Sequence, residues 1–109
     1  MSLKKRVANV RIISKRRLRE FWELHPTAEG PLLHWYRVTK KANWESLADA
    51  RQDFRRADAV GACTVFNIKG NDFRLIAGVR YEIQRVFVLK IMTHKQYDKE
   101  DWKDECRCC

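Results

Sequence analysis

The chain has little glycine and proline and no long hydrophobic run. Four glycines and two prolines among 109 residues leave no room for a low-complexity linker. No apolar stretch approaches the roughly 20 residues needed to span a bilayer. With 45% hydrophobic and 11% aromatic residues, the chain is nevertheless too apolar for intrinsic disorder. We therefore expect a single folded domain over residues 1–109, with flexible tails at 1–6 and 103–109.

The signatures of several enzyme classes are also absent. There is no glycine-rich nucleotide fingerprint, nucleophile elbow, zincin spacing or pair of catalytic carboxylates. Three of the four cysteines crowd the carboxyl terminus at Cys106, Cys108 and Cys109, and the chain has no paired C-x-x-C spacing of the kind that holds zinc. We expect unpaired thiols in a reducing compartment, a loose tail, no metal and no cofactor. A metal site built from these thiols and His94 is the alternative.

Acidic residues are missing from Met1 to Arg19, where eight lysines and arginines occur. The net charge of +9 is concentrated there and in residues 63–98. Such a distribution suits a polyanion such as RNA, or an acidic protein partner, whereas a solvated basic face is the alternative. The basic start has no apolar core of the length found in signal peptides, so we expect a cytoplasmic protein.

Hydrophobic spacing in the first half of the chain predicts one strand followed by helices. The first predicted elements are a strand from Val7 to Ile13 and a helix from Lys15 to Leu24 that is capped by Ser14. A second helix has Pro31 in its first turn and Lys40 and Lys41 at its end. A short third helix begins at a capping box, Ser46-Leu47-Ala48-Asp49, and continues to about Phe54. Residues 55–61 are expected to form a connector.

The second half predicts a three-strand meander, Thr64–Ile68, Phe73–Val79 and Ile83–Met92, separated by turn residues. The helices before it are expected to cover one face of this sheet. Alternation places Arg74 opposite the apolar side of its strand, and we expect Arg74 and Lys90 to line an open concave face.

The residues after the meander predict a short helical turn. Thr93 is the expected cap, which places His94 and Tyr97 on one side of that turn.

This region carries the residues that could support RNA cleavage. Cleavage without a metal requires a base, an acid and cations that stabilise the phosphorane. His94 is the best-placed acid or base, Tyr97 could donate a proton or stack on a base, and Arg74, Lys69 and Lys90 could hold phosphate. A structural histidine, a core tyrosine and solvated cations are the alternatives.

Four segments together resemble the HigB family of type II toxin-antitoxin toxins, within the RelE-like superfamily. They are RIISKRRLREFWE (Arg11–Glu23), Asn43-Trp44 with Ser46, VFNIKGNDFRL (Val65–Leu75) and THKQYD (Thr93–Asp98). The resemblance extends from about Val10 to Trp102. It implies a small α+β toxin with an amino-terminal strand and two to three helices packed on a mainly antiparallel sheet.

The resemblance further implies a metal-independent endoribonuclease, an mRNA interferase that cuts mRNA, commonly on translating ribosomes, by 2′-hydroxyl attack. A HigA-type antitoxin with a helix-turn-helix domain would neutralise it, and promoter DNA would be bound only through the antitoxin complex. By motif position, Asn71, Arg74, His94, Tyr97 and Asp98 correspond to functional positions.

On this basis we assign a role to each candidate residue. His94 is the acid or base, Arg74 is the phosphate-stabilising cation, Lys69 and Tyr97 are accessory, and Asp98 orients a neighbour. The expected RNA-binding residues are Asn71, Lys90, Lys15, Arg16, Arg17 and Arg19.

Two other functions remain open from the sequence. The chain could be a non-catalytic RNA- or ribosome-binding protein, or an inactive relic of a toxin. A DNA-associated regulator is a weaker hypothesis, because no recognition helix is evident.

Overall fold

The computed structural model describes residues 10–99 and 101–106, which form an α+β fold. The elements are β1 (Arg11–Ile13), α1 (Lys15–Leu24), a 3₁₀ turn (Pro26–Ala28), α2 (Glu29–Lys41), α3 (Leu47–Asp53), β2 (Asp58–Val60), β3 (Cys63–Ile68), β4 (Phe73–Arg80), a second 3₁₀ turn (Tyr81–Ile83), β5 (Arg85–Thr93), α4 (His94–Asp98) and a 3₁₀ segment (Asp101–Cys106). Within these residues no helix combines the length and apolar character needed to cross a membrane.

The strands form one sheet in the order β1-β5-β4-β3-β2. Strand β1 pairs in parallel with β5, and every other pair is antiparallel. The mainly antiparallel sheet predicted from the sequence is therefore confirmed. Its register places Asn67, Arg74 and Met92 side by side on β3, β4 and β5.

The helices cover one face of the sheet, as expected. Leu18 of α1 and Leu32 and Trp35 of α2 are fully buried against it. Phe66 of β3 lies at the centre of this core, with its ring 5.5 Å from that of Trp35 and 5.9 Å from that of Trp44. Burial of such large aromatic side chains supplies much of the hydrophobic stabilisation of a domain this size.

The opposite face of the sheet is covered by the carboxyl-terminal segment. Alternation brings apolar side chains to this face as well, and Trp102 and Cys106 are buried against them at 3% and 1% exposure. Cys106 forms a disulfide with Cys63 at the start of β3. The expectations of a loose tail and of unpaired thiols are therefore wrong for this part of the chain, and the face that was expected to be open is covered in part. The tail packs here because the apolar side chains of Val65, Ile76 and Met92 lie on this face, and their exposure to water would be unfavourable. Cys108 and Cys109 lie outside the described residues.

Several element boundaries differ from the sequence predictions. The predicted connector at 55–61 contains β2, which pairs with the start of β3. The last strand begins at Arg85 instead of Ile83, because Gln84 adopts a left-handed φ of 55° and its side-chain amide donates to the carbonyls of Tyr81 and Trp44. The part of the first strand predicted at 7–9 lies outside the described residues.

Two predicted helix caps do not form, although both helices do. Ser14 has a left-handed φ of 76°, and its hydroxyl makes no hydrogen bond that would cap α1. Ser46 likewise makes none. The Asp49 carboxylate accepts instead from the backbone N–H of Glu45, at 2.8 Å.

The cap predicted at Thr93 is confirmed. Its hydroxyl accepts from the backbone N–H of Gln96 at 3.2 Å, and the Gln96 side chain accepts from the Thr93 N–H at 3.0 Å. This reciprocal pair fixes the first turn of α4 where it leaves β5.

Substitution of Thr93 by Ala should therefore destabilise the protein more than substitution of Ser46 by Ala. Thr93→Ala removes a capping bond, whose loss typically costs about 1 kcal/mol. Ser46→Ala removes a hydroxyl that caps nothing, so the free energy of unfolding should change little. Urea denaturation of both variants measures the difference, and equal losses would contradict the assignment of these caps.

Candidate functional site

Two chain segments meet where β4 begins and β5 ends, and they form the candidate site. The β3–β4 loop, residues 69–72, turns through left-handed Lys69 and Gly70, with φ of 54° and 64°. The backbone N–H of His94 donates to the Asp72 carbonyl at 3.0 Å, and Phe73 pairs with Thr93. The loop and the start of α4 are thereby held together, as the sequence hypothesis requires.

Arg74 is buried beneath this junction, with 8% of its surface exposed. Its Nη1 donates to the carbonyls of Asn71 (3.0 Å) and Phe73 (3.3 Å), and its Nη2 donates to the Asn71 side-chain oxygen (3.5 Å). The prediction that Arg74 lines an open face is therefore wrong. Tyr97 and the loop carbonyls enclose the guanidinium, which lies 5.0 Å from the Tyr97 ring centroid.

The charge of Arg74 is not neutralised by a carboxylate within the described part of the chain. Its partners there are carbonyl oxygens, an amide oxygen and the face of an aromatic ring. A buried cation satisfied only by neutral groups retains its full charge toward an incoming anion. The arrangement suits a phosphate group.

Tyr97 links Arg74 to the carboxyl-terminal segment. Its ring stacks on the indole of Trp102, with centroids 4.8 Å apart and planes inclined by 17°. The Trp102 Nε1 donates to the backbone carbonyl of Tyr97 at 2.8 Å. Guanidinium, phenol and indole therefore form a connected series on the second face of the sheet.

His94 is the exposed titratable group of the site. Its side chain is about half exposed, and its Nδ1 lies 3.4 Å from the Asp98 carboxylate, one helical turn later. In the neutral tautomer with a proton on Nδ1, that N–H lies next to the Asp98 carboxylate and Nε2 is left as a base. The geometry therefore supports the expected relation between these two residues.

Lys69 and Asn71 occupy the same loop but have different contacts. Lys69 Nζ lies 3.2 Å from the Asp72 carboxylate, and both groups are exposed. An exposed pair of this kind is weak, so a phosphate could replace the carboxylate. Asn71 contributes its carbonyl and its side chain to Arg74, which gives it a structural role at this site.

Lys90 lies on the same face of the sheet as Arg74, since it is paired with Ile76 two residues further along β4. It lines a depression of about 320 Å³. The other lining residues include Met92, Gln96, Lys99 and Trp102. This concave surface extends the candidate site along β5.

The four basic residues of α1 are not part of this cluster. Lys15 Nζ lies 4.5 Å from the Tyr36 ring centroid, and Arg17 Nη1 donates to the Leu89 carbonyl at 3.0 Å. Arg16 and Arg19 are exposed. Arg17 and Lys90 nevertheless line the same shallow depression at the edge of β5, so the basic helix adjoins the site at that edge.

Sequence reasoning missed three contributors to the site, namely Asp72, Lys99 and Trp102. The sequence contained a signal for Trp102. A lone tryptophan in a segment of charged residues indicates burial, because its large apolar ring is costly to leave in water. Asp72 acts partly through its backbone carbonyl, which no side-chain pattern reveals.

Comparison with known proteins gives one family match and several relatives. Residues 28–100 match the HigB_toxin family, described as the RelE-like toxic component of a toxin-antitoxin system. An mRNA interferase HigB of Escherichia coli O6:H1 is 31% identical over 91 residues, which are 81% of this chain and 88% of that protein.

Shorter alignments relate the chain to two other proteins. The mRNA interferase toxin HigB of Escherichia coli K12 and the mRNA interferase HigB of Shigella flexneri are each 47% identical over 34 residues. Each alignment covers 31% of this chain and 33% of the relative, so the chain spans about a third of these two proteins.

The burial of Arg74 predicts a loss of stability when its donors are removed. Arg74→Gln should lower the free energy of unfolding by about 1–3 kcal/mol, because loop carbonyls lose their donor. Arg80→Gln on the same strand removes only an exposed pair with Glu82 and should cost within about 0.5 kcal/mol. Chemical denaturation measures both, and an equal or smaller loss for Arg74→Gln would contradict its structural role.

Proposed function

Because the chain belongs to the HigB family of RelE-like toxins, we propose that it is a metal-independent endoribonuclease that cleaves mRNA. The observation that carries the proposal is the buried Arg74 cation beside an exposed histidine, at the junction of the β3–β4 loop and α4. This arrangement supplies positive charge for a phosphate and an imidazole that can accept or donate a proton.

The reaction is an attack by the RNA on itself. A base removes the proton of a 2′-hydroxyl, and that oxygen forms a bond to the adjacent phosphorus. The bond from phosphorus to the 5′ oxygen then breaks, and an acid protonates the departing oxygen. The products are a 2′,3′-cyclic phosphate and a 5′-hydroxyl, with no net gain or loss of protons.

His94 performs the proton transfer in this proposal. The Asp98 carboxylate, 3.4 Å from Nδ1, would orient the ring and leave Nε2 to accept or donate the proton. Arg74 stabilises the additional negative charge of the phosphorane, and Lys69 assists when it exchanges Asp72 for a phosphate oxygen. Tyr97 is accessory, since its ring contacts Arg74 and is partly exposed.

The rest of the RNA follows the basic surface that leads away from the site. Lys90 and Lys99 line the adjoining depression, where they would contact backbone phosphates. At the edge of β5 this surface continues to Arg17 and to the exposed Arg16 and Arg19. Proteins that bind a single strand several nucleotides long use a positively charged groove that follows its backbone.

We further propose the remaining elements of a toxin-antitoxin module. The chain would act in the cytoplasm on mRNA bound to translating ribosomes, and a HigA-type helix-turn-helix antitoxin would neutralise it. Promoter DNA would be bound only through the complex with that antitoxin. Family membership supports an antitoxin partner, and the relatives named mRNA interferases support mRNA as substrate.

The competing function is RNA or ribosome binding without cleavage. It uses the same basic surface and differs only at His94. Incubation of a synthetic mRNA with the purified chain, alone in EDTA and on translating ribosomes, distinguishes the two, because a nuclease produces fragments with 2′,3′-cyclic ends in at least one of these reactions and a binding protein leaves the mRNA intact in both.

Substitution of His94 should abolish cleavage without abolishing binding. Loss of a general acid or base typically lowers the rate by about 10²-fold or more. His94→Ala is therefore expected to show this loss in single-turnover cleavage while its RNA affinity changes little. His34→Ala is the matched control, since His34 is an exposed residue of α2. If His94→Ala cleaves as fast as the unmodified chain, His94 is not the proton-transfer group.

Charge reversal on α1 should weaken RNA binding and reduce its dependence on salt. The double variant Arg16→Glu, Arg19→Glu should lower affinity at low salt and decrease the slope of log Kd against log salt by about two. The control Arg37→Glu, Lys41→Glu makes the same change in net charge at exposed positions of α2. Equal effects of the two double variants would indicate nonspecific attraction instead of an RNA path across α1.

A further inference from the structure

We propose that Trp102, tethered by the disulfide between Cys63 and Cys106, is a positioning residue that holds Tyr97 against Arg74. RNA cleavage should consequently depend on the oxidation state of these two cysteines. The inference concerns the same site as the proposed ribonuclease and rests on that function.

The contacts that support it run in series across the second face of the sheet. The Arg74 guanidinium lies 5.0 Å from the Tyr97 ring centroid, and the Tyr97 ring lies 4.8 Å from that of Trp102. A hydrogen bond from the indole Nε1 to the Tyr97 carbonyl fixes the relative orientation of the two aromatic residues. Displacement of Trp102 would therefore remove the stacking partner of the ring that faces Arg74.

The position of Trp102 depends on a short segment that the disulfide joins to the sheet. Helix α4 ends at Asp98, and the buried side chains of the segment that follows include Trp102 and Cys106. Besides the disulfide, the backbone N–H of Ala62 donates to the Cys106 carbonyl at 2.6 Å. Ordering these residues costs conformational entropy, which the covalent link offsets by limiting the conformations open to the segment.

The disulfide joins two parts of the chain that are 43 residues apart in sequence. A covalent link that closes so long a loop restricts the conformations open to the carboxyl-terminal segment far more than a local contact does. Its reduction should favour conformations in which Trp102 leaves the sheet and Tyr97 is no longer held.

The chemistry requires a dithiol reductant and two electrons. One thiolate of the dithiol attacks a sulfur of the protein disulfide and forms a mixed disulfide, and the second thiolate then closes to a cyclic disulfide. Cys63 and Cys106 are each released as a thiol that carries one of the two protons of the dithiol. Reoxidation by a disulfide of the same class reverses these steps.

The first experiment compares oxidised and reduced protein in single-turnover RNA cleavage. It uses the full chain with Cys108→Ser and Cys109→Ser, so that Cys63 and Cys106 are the thiols that respond. Dithiothreitol should lower the maximal cleavage rate by about three- to tenfold, the range expected for loss of an aromatic contact, with a smaller change in KM. The variant Cys63→Ser, Cys106→Ser should cleave at the lower rate with or without dithiothreitol.

Variants of Trp102 with an intact disulfide distinguish two roles of this residue. One role is to position the Tyr97 ring, and the other is only to cover the apolar face of the sheet. Trp102→Phe keeps a ring that can stack on Tyr97, whereas Trp102→Leu keeps apolar cover without a ring. We expect Trp102→Phe to retain most of the rate and Trp102→Leu to show the same reduction in rate as the reduced protein. Comparable denaturation midpoints of the two variants would ensure that stability does not account for the difference.

The near-ultraviolet circular dichroism of the same samples provides a measurement that is independent of cleavage. Reduction and Trp102→Leu should each diminish the aromatic signal of the stacked pair. If the oxidised chain cleaves no RNA, the proposed nuclease function fails, and this signal still decides whether the disulfide positions the aromatic pair. A rate that is unchanged or increased on reduction, equal rates for the two Trp102 variants, or an unchanged aromatic signal would overturn the inference.

Discussion

Strand β4 has buried side chains on both of its faces, and the rest of the fold follows from that constraint. From Phe73 to Ala77 every residue is buried. Phe73, Leu75 and Ala77 face the helices, whereas Arg74 and Ile76 face the opposite way. A sheet of this kind cannot leave either face in water, so both faces must be covered. The helices α1 and α2 cover one, and the carboxyl-terminal segment covers part of the other.

The second cover creates the chemical environment of the candidate site. Arg74 would be an ordinary surface cation if its face were open, and solvent would screen most of its charge. Under Tyr97 and the loop carbonyls it is shielded from water, where electrostatic interactions are stronger. The same apolar requirement that buries Trp102 therefore also intensifies the field that a phosphate would meet at the edge of this cluster.

Local patterns predicted the regular elements well, because those patterns arise from local geometry. The spacing of Leu18, Phe21 and Trp22 placed α1 at the residues where it is found, and the types of Thr93 and Gln96 suit the capping pair that forms. Strand β2 escaped prediction because its three residues, Asp58–Val60, have no alternating pattern and acquire their conformation by pairing with β3.

The disulfide and the burial of Arg74 could not be predicted, because each brings together residues distant in sequence. The pairing of Cys63 with Cys106 depends on how the tail crosses the sheet, and four cysteines by themselves permit several pairings. Alternation placed Arg74 on the correct face but said nothing about what covers that face. Burial is a property of the whole assembly, whereas alternation specifies only the direction of a side chain.

An arginine buried with no carboxylate partner among the residues that the structure describes has a cost that the fold alone does not explain. Ile76, two residues along the same face, shows that an apolar side chain is accommodated there. Replacement of a buried charge by a well-packed apolar residue is often neutral or stabilising. The loop carbonyls that hold the guanidinium only reduce the cost of its burial. The proposed RNA substrate would supply, through a phosphate, the negative charge that the described neighbours of Arg74 do not.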